Sequence, residues 1–239
     1  MIEILNCDCM IYMATLPDKA FQLGITDPPY GINAPKMAAT PCPRQAGSKR
    51  LNGGGGKLKD RTLNTSQCEW DNAIPDQAYF DELMRVCENV IIWGGNYFPL
   101  PPSRCILCWD KVQPWENFSQ IELAWTSFDS PAQLFKFDNR TGDKIHPTQK
   151  PVQLYEWVIS KYAKPGQRIL DTHLGSGSSA IAAHNLGFDF VGMELDKDYY
   201  DAACARLKDH QAQQTLFPAD SISDKYEQVD LLNAHLNEM

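Results

Sequence analysis

The sequence predicts an α/β fold, a mostly parallel sheet with helices on both faces. Three observations predict it. Short apolar strands alternate with segments of helical spacing along 239 residues. Residues 166–196 read in one run as strand, glycine loop, helix, strand and acid. The strand Phe21–Thr26 stops on Asp27-Pro28-Pro29-Tyr30, because two prolines cannot continue a central ladder. In an open parallel sheet such strand ends face the ligand crevice.

Taken in order, Met1–Cys7 reads as a strand ending at Asp8, and Cys9–Leu16 as a short helix stopped by Pro17. After Phe21–Thr26 comes a long irregular segment, 31–70, containing Gly53-Gly54-Gly55-Gly56. Asp76–Glu88 has helical spacing, followed by the strand Asn89–Trp93. Arg104–Trp109 and Ile121–Trp125 read as strands, Ser127–Ile145 as loop, and Pro151–Tyr162 as a helix with proline in its first turn. Arg168–Asp171, Ser178–Asn185, Phe188–Met193 and Asp198–His210 then read as strand, helix, strand and helix. One domain over 1–210 with the 31–70 loop inserted, and an acidic tail over 211–239, is the expected organisation. Asp224–Leu236 in that tail has the spacing of a short amphipathic helix.

Composition narrows the class. An apolar fraction of 43% supports a sizeable core. No stretch approaches the ~20 apolar residues that span a bilayer, and Glu3 interrupts any leader-like start. Eight cysteines in a chain this long are too few for a disulfide scaffold, so a cytoplasmic protein with reduced thiols is expected. Cys7-x-Cys9 and Cys105-x-x-Cys108 have a spacing that invites zinc. Cys105 and Cys108 lie on a strand, however, where their side chains point to opposite faces, so no metal is expected. Net charge is −8, yet Lys36, Arg44, Lys49, Arg50, Lys57, Lys59 and Arg61 face Asp60 alone, a local +6. Such a segment suits a flexible arm on a nucleic-acid backbone.

The glycine loop Gly175-Ser176-Gly177-Ser178-Ser179-Ala180 admits close approach of a ligand, and Glu194 stands where an acid would hold two ribose hydroxyls. A nucleoside-bearing cofactor follows; this loop alone leaves a nicotinamide dinucleotide open, because Ala is permitted in the third glycine position. Asp27-Pro28-Pro29-Tyr30 offers a carboxylate, a carbonyl fixed by rigid rings and an aromatic face. That combination suits a planar ligand with an exocyclic amine. Two acceptors on the amine protons favour a tetrahedral nitrogen and free its lone pair to attack.

With these motifs the sequence resembles the S-adenosylmethionine-dependent DNA amino-methyltransferases, adenine-N6 or cytosine-N4, in their circularly permuted β class. The resemblance rests on Asn6-Cys7-Asp8-Cys9, Thr26 to Ile32, Trp93-Gly94-Gly95-Asn96-Tyr97-Phe98, Trp109-Asp110-Lys111, Glu122-Leu123-Ala124-Trp125, His146 to Pro151 and Asp171 to Asp196, in that order. It implies a Rossmann-like class I methyltransferase fold with a seven-stranded sheet. It implies Asp27, Pro28, Pro29 and Tyr30 as catalytic residues. The implied S-adenosylmethionine site comprises Asp8, Cys9, Asp27, Thr148, Lys150, Pro151, Asp171, His173, Leu174, Gly175, Ser176, Gly177, Ser178, Glu194 and Leu195. In that site Lys150 is expected to pair with the cofactor carboxylate. The implied substrate is double-stranded DNA, its target base flipped out of the stack, and a homodimer is expected. Asp rather than Ser at position 27 points to adenine. Cytosine-N4, RNA and a non-catalytic nucleic-acid-binding relative stay open.

The chain departs from the family where Asp-Pro-Phe is common: it has Asp171-Thr172-His173. An imidazole there is expected to titrate near its ~6.5 reference value and to make cofactor affinity pH-dependent. Only about twenty residues separate Trp125 from His146, where relatives often carry a target-recognition insertion. Gln213-Gln214-Thr215-Leu216-Phe217 resembles peptides that dock on bacterial sliding clamps.

Overall fold

The structure, a computed structural model, describes residues 1–32, 71–113, 119–138, 145–146 and 148–213. The basic positions Lys36 to Arg61, most of the clamp-like peptide (Gln214 to Phe217) and the Asp224–Leu236 segment lie outside the described residues.

One sheet organises the domain. Its strands are β1 (Ile2–Leu5), β2 (Phe21–Thr26), β3 (Cys87–Trp93), β4 (Ile106–Asp110), β5 (Ile121–Thr126), β6 (Gln133–Lys136), β7 (Arg168–Asp171) and β8 (Asp189–Met193), in the spatial order β1-β8-β7-β2-β3-β5-β4-β6. The sheet therefore has eight strands, not seven. The additional one is β6, inside the segment expected to be loop. It pairs in parallel with β4 from Leu107↔Gln133 to Asp110↔Lys136. The sheet is mostly parallel; β5 alone runs against both its neighbours.

The helices are α1 (Cys9–Ala14), α2 (Gln77–Val86), α3 (Val152–Tyr162), α4 (Ser178–Asn185) and α5 (Lys197–Ala212). Period-2 alternation along β3 shows how the two faces are filled. Ile91 and Trp93 join a cluster with Leu154, Val158 and Ala182 from α3 and α4. Val90 and Ile92 join the opposite cluster with Met13, Phe80 and Leu83 from α1 and α2. Helix starts are written locally: Asp8, Asp76 and Asp196 each accept backbone N–H bonds as N-caps of α1, α2 and α5. α5 continues two residues past the domain end expected at 210.

The chain leaves β2 for β3 on one side and leaves β7 for β8 on the other, while β2 and β7 are neighbours. The carboxyl ends of β2 and β7 thus meet at the point where the winding reverses. Open α/β sheets form their ligand crevice at such a point. Among the described residues no helix is long and apolar enough to cross a membrane.

Candidate active site

A cavity of about 540 Å³ opens at that switch point. It falls within the usual range for small-molecule sites, about 300–1,000 Å³. From the expected cofactor set, Asp8, Cys9, Asp27, Thr148, Lys150, His173, Leu174, Gly175, Ser176, Ser178, Glu194 and Leu195 line it. Pro29 lines it as well. Pro28, Tyr30, Pro151, Asp171 and Gly177 are not among the residues that line it.

The glycine loop is held from both sides. Gly177 is the left-handed N-cap of α4 at φ +74, and a Cβ there would meet the Ala203 Cβ at 3.2 Å. Asp171, buried at the end of β7, accepts from the His173 N–H at 3.0 Å and the Ser179 hydroxyl at 2.6 Å. Burial pushes its carboxyl up to about 7. Arg206 donates to the Ser176 carbonyl and the Ser178 hydroxyl, and that hydroxyl donates to the Lys150 carbonyl. Pro151 caps α3 at the other end of this contact.

Glu194, directly after β8, accepts from the Gly175 N–H at 2.8 Å through one oxygen and from the Asp196 N–H at 2.9 Å through the other. Its carboxylate is thereby fixed in the cavity wall, with the Leu195 N–H also directed at it, and acceptor capacity remains on a carboxylate with about four lone-pair sites. Asp8 spends one oxygen capping α1 and lines the same cavity with the rest of its carboxylate. Burial pushes the Cys9 thiol up to about 12, so this side chain offers an apolar surface rather than a thiolate.

His173 corrects the sequence expectation. Its Nδ1 faces three hydroxyls, Thr172 at 3.0 Å, Thr26 at 3.3 Å and Tyr79 at 3.5 Å. Those hydroxyls also bond one another. Burial lowers its pKa to about 4, against a small opposing pull from Asp8. The ring is neutral at physiological pH and does not titrate near 6.5.

The second half of the site is a buried charge cluster. Lys150, with 3% of its side chain exposed, pairs with Asp27 Oδ2 at 2.5 Å and with Glu122 Oε1 at 2.6 Å. Lys111 pairs with Glu122 Oε2 at 2.8 Å. The Tyr30 hydroxyl lies 2.5 Å from Asp27 Oδ1 and 2.8 Å from Glu122 Oε1, and Lys150 donates to its oxygen at 3.2 Å. For Glu122 burial works to raise the carboxyl, but the two lysines outweigh it and hold the group below the usual carboxylate range. Asp27 shares a single lysine, and burial leaves its carboxyl above the usual value. Lys150 stays protonated because two carboxylates outweigh the cost of its burial. The ammonium expected to meet a cofactor carboxylate is thus engaged by Asp27 and Glu122.

Tyr30 is placed by its neighbours. Its ring stacks on Tyr97 with centroids 4.9 Å apart and 12° between planes. Gly94, at φ +70, lies so close that a Cβ there would fall 2.1 Å from the Tyr30 ring. The aromatic face expected to receive a planar ligand is covered on one side by Tyr97.

Sequence reasoning quoted Glu122 and Lys111 within motifs but assigned them no role. It missed the wall formed by Ala73, Ile74 and Pro75, and the Tyr79 hydroxyl. Glu122 carried a weak signal: a lone acid in an otherwise apolar strand, Ile121–Thr126.

A reversing parallel sheet with a glycine loop, an acid after the next strand and a cavity at the switch point defines a nucleotide-binding α/β fold. The family model described as DNA methylase, of the N6/N4 group, matches residues 85–205. The chain is 35% identical to the type II methyltransferase M.BglII of Bacillus subtilis, over 90% of this chain and 71% of that protein. It is 23% identical to M.HinfI of Haemophilus influenzae, over 86% of this chain and 68% of that protein. Among solved structures, the M1.HpyAVI–SAM complex superposes with a TM-score of 0.53 at 20% identity, covering 86% of this chain and all of that one. The cytosine-N4-specific PvuII DNA methyltransferase superposes with a TM-score of 0.55 at 12% identity, covering 95% and 92%. The chain belongs to the N6/N4 DNA methylase family and is a DNA amino-methyltransferase.

Proposed function

We propose that the protein transfers a methyl group from S-adenosylmethionine to the N6 amine of adenine in double-stranded DNA, at a specific site. The observation that carries this reading is the shared cavity: Asp27 from the target-amine motif and Glu194 with the glycine loop line the same space. The residues fit the cofactor. Glu194 is fixed with acceptors free for ribose hydroxyls, Gly175 and Ser176 leave room at the loop, and Asp8 and Cys9 form the adjoining wall. When bound there, S-adenosylmethionine supplies an activated methyl group.

The chain's own residues do the rest by positioning and polarisation. Asp27 accepts one proton of the target amine as a hydrogen bond and the Pro28 carbonyl accepts the other. Tyr30 and Tyr97 provide aromatic surface beside them. Asp27 then stabilises the positive charge that develops on the amine nitrogen as the methyl–sulfur bond gives way to a methyl–nitrogen bond, and it takes the proton that nitrogen sheds and passes it to solvent. The base reaches this site by flipping, at a cost of a few kcal/mol. The basic positions Lys36, Arg44, Lys49, Arg50, Lys57, Lys59 and Arg61 neutralise DNA phosphates, which positions the duplex without reading sequence. Adenine rather than cytosine rests on Asp at position 27. Nucleoside analysis of DNA methylated by the purified protein tests this, since N4-methylcytosine as product would refute the adenine assignment.

A further inference from the structure

We propose that Glu122 is a positioning residue of the target-amine site: it shares Lys150 with Asp27 and so sets how tightly the ammonium holds the carboxylate that must accept the amine. The proposal rests on the amino-methyltransferase reading above.

The geometry is a competition for two donors. Lys150 Nζ stands between Asp27 Oδ2 at 2.5 Å and Glu122 Oε1 at 2.6 Å. The Tyr30 hydroxyl has one proton and two carboxylate oxygens within reach, on Asp27 and on Glu122. Lys111 satisfies the far oxygen of Glu122. Two carboxylates and two ammonium groups therefore balance inside one buried cluster.

A lone Asp27–Lys150 pair would be a closed ion pair, with the carboxylate committed to an internal cation. Glu122 gives that ammonium an alternative seat. When the target amine approaches Asp27, Lys150 shifts its weight to Glu122 and no charge leaves the cluster. A purely structural strand position would be better filled by an apolar side chain, because burying ion pairs brings little net stability.

Every group facing Asp27 bears on the test. Tyr30 comes from its own segment, Glu122 from β5 with Lys111 behind it, Lys150 and Tyr155 from the α3 side, and Asp171 from β7. Removing the charge of Glu122 takes away a repulsion and leaves Lys150 wholly to Asp27. Removing the charge of Lys111 does the reverse, because Glu122 then draws more on Lys150. The two substitutions must move Asp27 in opposite directions.

The experiment compares wild type, Glu122→Gln and Lys111→Met as full-length proteins. It measures kcat and kcat/KM for methyl transfer against pH, with S-adenosylmethionine affinity by calorimetry in parallel. For Glu122→Gln the acid limb moves down by about one pH unit and kcat falls by roughly tenfold, with cofactor affinity unchanged. For Lys111→Met, which removes the ammonium standing 5.3 Å from the Trp109 ring centroid, the acid limb moves up. Limbs that do not move, or that move the same way, overturn the proposal while leaving the function intact. If Glu122→Gln does not fold, an upward limb in Lys111→Met supports the proposal and an unmoved one overturns it. A wild-type protein that methylates no DNA overturns the functional reading itself, and the proposal with it.

Discussion

Replacing His173 with Phe, the residue more usual at that place in the family, should make the protein more resistant to acid. In the fold His173 titrates at about 4, whereas an unfolded chain has it near ~6.5. A group whose folded pKa is lowered in this sense binds more protons when unfolded, so stability is lost as pH falls from about 6.5 towards 4. At about pH 5 the full gap corresponds to about 2 kcal/mol. One edge of the ring meets the cavity, where water screens the effect, so about 1 kcal/mol is the working figure. Phe removes that loss. It also leaves the hydroxyls of Thr26, Tyr79 and Thr172 without their nitrogen partner, at a cost of about 1 kcal/mol independent of pH. The variant is therefore somewhat less stable than wild type at about pH 7.5, and the difference closes at about pH 5. Urea unfolding at the two pH values measures this directly. His146, lowered to about 3 by burial, titrates in both proteins and cancels in the comparison. Equal losses of stability on acidification in the two proteins would refute the assignment of a neutral, buried His173.

Three further outcomes follow from the site. Asp27→Asn keeps cofactor binding but loses methyl transfer by a factor on the order of 100 or more, as single-turnover kinetics with calorimetry would show. Gly94→Ala puts a methyl group into the Tyr30 ring at a left-handed position, so transfer falls sharply and the melting temperature drops, with an expected cost of at least about 2 kcal/mol. Neutralising Lys49 and Arg50 lowers the slope of log affinity against log salt for duplex DNA by about two, without altering the nucleoside methylated.

The strands that meet at the cavity were the most legible part of the fold. β2, β7 and α4 have the boundaries expected from prolines, glycines and apolar runs alone. β6 was not legible, because Gln133-Leu134-Phe135-Lys136 is short and carries only two apolar residues between polar ends. It becomes a strand through pairing with β4, which local pattern does not encode. The glycine loop and Glu194 were legible for the same reason as β7 and α4: their positions follow from strand and helix ends close in sequence. The charge cluster was not. Tyr30 and Glu122 are 92 residues apart, and Lys150 lies 120 residues from Tyr30. Motif resemblance marked these segments but did not say that their charges meet. His173 misled for a similar reason, since two of the three hydroxyls around it come from β2 and α2.

The most direct measurement is transfer of labelled methyl from S-adenosylmethionine to unmethylated duplex DNA, followed by nucleoside identification. The account predicts label in N6-methyladenine, at one recognised sequence. Label in N4-methylcytosine would contradict the choice of base. Bound cofactor with no label in any DNA would contradict the claim that Asp27 and the cofactor loop serve one reaction in one cavity.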